Sequence, residues 1–100
     1  MELYAIRRRN GWKSPEELQA AAARSLQVGN EEMPSEVRWI RSYVVAESDG
    51  VLGSVCIYEA VSPDAIRKHA HRAGLPADEI SQVVDTVIIR ADPIKAEAAA

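Results

Sequence analysis

Polar and apolar residues alternate along ELYAIRRR at positions 2–9, which predicts a first strand, and Asn10-Gly11-Trp12 supplies turn chemistry to close it. The period then lengthens. Leu18, Ala21, Ala22, Ser25 and Leu26 recur at helical spacing and form one stripe of small residues suited to packing on a sheet. Ser14 stands at the N-cap position and Pro15 at the first helical position, where no N–H is needed, while Glu17 completes a capping box. With Gly29-Asn30 as a left-handed C-cap, this helix is expected over 15–28. After an acidic loop at 31–36, VRWIRSYVVA (37–46) and VLGSVCIYEA (51–60) alternate and are rich in β-branched residues, with ESDG between them as a hairpin turn. Ser62-Pro63-Asp64 repeats the earlier helix start, Ala65, Ile66, Ala70 and Ala73 line one face, and Gly74 with Pro76 ends the second helix. ISQVVDTVII, at 80–89, predicts a fourth strand.

The order β-α-β-β-α-β is the split βαβ, ferredoxin-like arrangement: an α+β fold with a four-stranded antiparallel sheet carrying both helices on one face. A single domain over residues 1–91 is expected, with a disordered tail at 92–100. Such a sheet has a second, bare face. Strict alternation sends Ile40, Ser42, Val44, Val55 and Ile57 towards the helices, and Trp39, Arg41, Tyr43, Cys56 and Tyr58 to the bare face. An aromatic set mixed with an arginine and a thiol is too apolar to stand in water. The expectation is therefore a homodimer, two open faces meeting as a dimeric α/β barrel, with these five residues lining a ligand cleft or the dimer contact itself.

Composition narrows the partners. One hundred residues with 47% hydrophobic content but no Phe suggest one domain with a thin aliphatic core, which dimerisation would support. A net charge of -3 with scattered basic residues argues against nucleic acid. No apolar run approaches the roughly 20 residues of a spanning helix, and no secretory leader pattern follows the first arginines. The chain is expected to be cytoplasmic, with no membrane partner.

Candidate chemistry is sparse. Cys56, the single cysteine, is either a thiol activated by a neighbouring cation such as Arg41 or a small buried hydrophobe lining a wall. His69 and His71 are two residues apart on a helix, which points them to different faces and rules out a chelating pair. His71 falls on the solvated side. His69 borders the buried stripe, as a ligand or proton carrier or as a histidine bonded to backbone. Arg7-Arg8-Arg9 reads as a solvated strand end, since its members alternate faces. No phosphate loop, nucleophile elbow or dinucleotide fingerprint is present, so no catalytic residue is assigned.

Residues 37–80 nevertheless carry a recognisable pattern: RW and SY in the second strand, C-x-YEA in the third, SPDAIRKHA in the second helix and AGLPADEI beyond it. This pattern resembles the small bacterial ferredoxin-like domains of unknown function, common in actinobacteria, known as nickel-binding proteins. The resemblance implies the same four-stranded fold, dimerisation and nickel(II) as the metal. It transfers to Trp39, Tyr43, Cys56, Tyr58, Glu59 and His69, with Glu59 and His69 as the metal candidates. The expected function is a small dimeric metal- or small-ligand-binding protein. Two other readings stay open: a cofactor-independent monooxygenase or isomerase of the dimeric α/β-barrel kind, and a structural interaction module.

Overall fold

The computed structural model describes residues 1–93. Its elements are β1 (Glu2–Trp12), α1 (Pro15–Gln27), a π-helical turn (Val28–Glu32), β2 (Val37–Ala46), a short 3-10 turn (Ser48–Gly50), β3 (Leu52–Ala60), α2 (Pro63–Ala73) and β4 (Glu79–Gln82). The strands form one sheet in the order β2-β3-β1-β4, antiparallel throughout, which is the ferredoxin-like topology expected from the element order.

Both helices start as the sequence indicates. The Ser14 and Ser62 hydroxyls accept from the third residue beyond, Glu17 N–H at 3.2 Å and Ala65 N–H at 3.1 Å. Glu17 reaches back one residue further than a capping box requires and accepts from Lys13 N–H. Gly74 closes α2 in the left-handed region, at φ 71°. Gly29 does not do this for α1. There the helical ladder widens to an i→i+5 turn, Met33 N–H bonding the Val28 carbonyl at 3.0 Å, which brings Val28 and Met33 together into the core.

Two further expectations are corrected. β1 continues through Asn10-Gly11-Trp12 with an irregularity after Arg8, so Trp12 pairs with Leu52. β4 stops at Gln82 because it runs antiparallel to β1 and outruns it: Gln82 faces Tyr4, Val83 N–H bonds Leu3 O, and β1 then ends. Residues 83–89 continue without strand pairing. The remaining part of the expected tail, 94–100, lies outside the described residues.

The face assignment also changes. Tyr4, Ile6 and Arg8 of β1 sit opposite Tyr58, Cys56 and Ser54 of β3, and all six are buried beneath the helices. Cys56 and Tyr58 therefore lie on the covered face, and Val55 and Ile57 on the open one. In β2 a bulge at Ile40 breaks the alternation: Trp39 pairs with Tyr58 and Arg41 with Ile57. Trp39 consequently joins the covered side with Ser42 and Val44, while Arg41 and Tyr43 stay on the open face.

On that open face Arg7 and Glu47 form an ion pair at 2.9 Å, and Glu47 also accepts from Asn10 N–H. The Asn10 bond first, then Arg7, hold the Glu47 carboxyl below the usual range. Gly53 lies beneath this pair, where an added Cβ would stand 2.7 Å from Arg8 O and 2.9 Å from Arg7 Nη1. Gly53→Ala is expected to lower unfolding free energy by about 1–3 kcal/mol through overpacking, read from urea denaturation midpoints; an unchanged midpoint would show that the pair moves aside freely.

Candidate functional site

Of the residues in α1, only Ser25 is buried. The other inward positions, Ala21 and Ala22, end at Cβ and leave space above the sheet. The result is a cavity of about 490 Å3 between α1 and strands β2 and β3, within the range of small-molecule sites. Trp12 and Trp39 contribute aromatic wall, Ser54, Cys56 and Tyr58 line the sheet side, and the exposed side chains of Leu26, Ile40 and Val44 rim the mouth.

The polar groups along this space are tied together. The Trp39 and Tyr58 rings lie nearly parallel, 5.9 Å between centroids, and Trp39 Nε1 donates to Ser42 Oγ at 2.8 Å. Tyr58 Oη and Ser25 Oγ share a hydrogen bond of 2.8 Å, and His69 Nε2 lies 3.1 Å from the Ser25 carbonyl. A carbonyl can only accept, so this bond assigns the neutral ring's proton to Nε2. Nδ1 is then a buried acceptor with no partner among the described residues. Burial raises the Tyr58 pKa and lowers that of His69, with the nearby Arg8 cation adding to the latter and the Ser25 carbonyl opposing it.

Arg8 is the least expected member. It is 1% exposed, its Nη1 donates to Pro76 O at 2.5 Å, and its guanidinium carbon lies 5.8 Å from the Tyr58 ring centroid. No carboxylate pairs with it among the described residues, and its Nη2 is buried without an acceptor. A buried cation with so little compensation is costly.

Residues 4–83 match the sequence model of a family described as nickel responsive protein, SCO4226-like. The chain belongs to this family. No curated protein matches it. Among solved structures it is similar to SCO4226 from Streptomyces coelicolor A3(2), with a TM-score of 0.68 and 23% identity over 85% of this chain and 99% of that one. The likeness bears on the fold.

Within the SCO4226-like fold of this chain the side chains do not converge as a nickel site. Among the described residues no group of three or more His, Cys, Asp or Glu is placed to hold a metal. The two metal candidates named from sequence are on opposite sides of the sheet: His69 is buried under the helices, and Glu59 is on the open face, paired with Arg38 at 2.9 Å. The five cleft candidates divide likewise. Trp39, Cys56 and Tyr58 line the covered cavity, with Cys56 Sγ 3.2 Å from Ser54 Oγ. Arg41 and Tyr43 project from the open face, where Asp92 meets both: Tyr43 Oη donates at 3.0 Å and Arg41 Nη1 is 3.8 Å away.

Sequence reasoning missed Arg8 and Ser25. The parity of β1 held the signal for the first, since residues 4, 6 and 8 share a face and two of them are Tyr and Ile. For Ser25 the one hydroxyl in an alanine stripe was the only mark.

The burial of His69 sets a pH dependence. Its folded pKa lies below the ordinary 6.5, so below that value the unfolded chain takes up a proton the fold resists, and stability falls with pH until the depressed folded pKa is passed. His69→Gln, which keeps an N–H for the Ser25 carbonyl, is expected to flatten the profile from about pH 7 to 5; parallel wild-type and variant urea midpoints across that range would contradict it. Glu47 acts in the same direction only at lower pH, nearer the carboxylate range.

Proposed function

We propose that this chain is a small-ligand-binding protein whose ligand enters the cavity between α1 and the sheet. The observation that carries the reading is the cavity of about 490 Å3 that α1 leaves above Trp39 and Tyr58. It is walled by two tryptophans and open between α1 and β2. A neutral aromatic probe, N-phenyl-1-naphthylamine, is expected to gain saturable fluorescence at one site per chain, and Ala22→Phe, which projects a ring into the space, is expected to remove it. Absence of saturable binding, or full binding to an Ala22→Phe protein of unchanged circular dichroism, would refute the reading.

The nickel responsiveness in the family's name attaches to this reading only at the family level. Among the described residues of one chain no group of three or more His, Cys, Asp or Glu is placed to hold an ion.

A homodimer through the open face accompanies the proposal. Val84, Val87, Ile88 and Ile89 are 72–90% exposed on the segment that crosses towards Tyr43, and Val87 and Ile88 share a cleft of about 390 Å3 with Leu3 and Ile57 of the open face. Large apolar side chains exposed to this degree on neighbouring positions mark a surface suited to a partner. Sedimentation at micromolar concentration is expected to give a dimer, and Val87→Asp with Ile88→Asp to give a monomer; a monomeric wild type would exclude it.

A further inference from the structure

We infer that the occupant of the cavity beneath α1 is a small organic anion with an apolar body, held at its charged end by Arg8. The inference rests on the cavity reading above and adds the ligand's charge. The net charge of the chain is -3, yet among the described residues the cavity lining holds the buried Arg8 and no Asp or Glu, the Arg41 guanidinium being turned to Asp92 on the open face. The wall is thus locally positive in an acidic protein. Arg8 has neither a carboxylate partner among the described residues nor an acceptor for Nη2. His69, the nearest other titratable base behind this wall, is kept neutral by burial and contributes no charge.

The groups around Arg8 suit an oxyanion. Ser54, Ser42, Ser25 and Tyr58 place hydroxyls along the same lining, and hydroxyls can donate to a carboxylate or sulfonate where the guanidinium supplies the counter-charge. The rest of the wall, from the rings of Trp39 and Trp12 to Leu18 and Leu26, is mainly apolar, and the Trp39 N–H is already satisfied by Ser42. One end of the ligand is therefore anionic and the other aromatic or branched aliphatic. The geometry favours a carboxylate or sulfonate over a phosphodianion, because a single buried guanidinium offsets a single charge.

Two dyes with the same body separate charge from shape. 8-Anilinonaphthalene-1-sulfonate carries the sulfonate that N-phenyl-1-naphthylamine lacks. In the wild-type protein the anionic dye is expected to bind about ten-fold or more tightly than the neutral one, the range of a charge-assisted hydrogen bond. Arg8→Met is expected to erase that difference by weakening the anionic dye at least about ten-fold. Equal affinities in the wild type, or a preference for the neutral dye, would overturn the anion inference and leave the cavity reading standing. Saturable binding of neither dye would remove both. Should Arg8→Met fail to fold, the wild type alone decides by competition: octanoate is expected to displace the bound dye at a concentration at least about ten-fold lower than octanol, and equal displacement would refute the inference.

Discussion

α1 is anchored at one polar junction. Ser25, its single buried residue, joins Tyr58 of β3 through its hydroxyl and His69 of α2 through its carbonyl. Three elements meet there, and the rest of the helix is held away from the sheet only by the length of the side chains between them. Those are alanines over much of the facing stripe, too short to fill the gap between helix and sheet, so a cavity remains beside the anchor. A leucine or phenylalanine at Ala21 or Ala22 would close the gap as an ordinary core does. The sequence instead keeps the junction tight and the space beside it wide.

The same junction governs the electrostatics. Burying a tyrosine, a histidine and an arginine side by side is tolerable because the first two stay neutral, each shifted in the direction burial demands. Arg8 cannot follow them, since a guanidinium does not lose its proton at any pH the fold survives. Charge therefore collects at one residue of the cavity lining, with a backbone carbonyl and the Tyr58 ring as its compensation.

Element order, helix caps and the β2–β3 hairpin were legible because each is encoded locally: Ser-Pro starts, a glycine in the left-handed region at position 74, and alternation over 37–46 and 51–60. The family, too, was legible from the pattern in residues 37–80, and the match over 4–83 shows it. The composition of the two faces was not. Val55 and Ile57 look more like core than Cys56 and Tyr58 do, and only pairing with Tyr4, Ile6 and Arg8 reveals which set is covered. The bulge at Ile40 is equally silent in sequence. It alone moves Trp39 onto the Tyr58 ring while leaving Arg41 and Tyr43 behind. The end of β4 likewise depends on where its neighbour stops, a non-local fact that a run of β-branched residues cannot express.

That early end of β4 also bears on the chain's behaviour at high concentration. Val84-Asp85-Thr86-Val87-Ile88-Ile89 combines β-branched residues with backbone outside the sheet, the composition of segments that stack into cross-β fibrils. Its acidic and basic neighbours interrupt the apolar run: Asp85 within it, bonded to its own Thr86 N–H, and Arg90 and Asp92 just after. These charges act as gatekeepers on the segment, so neutralising them would be felt as fibril formation and lost solubility rather than as a change in the folded domain.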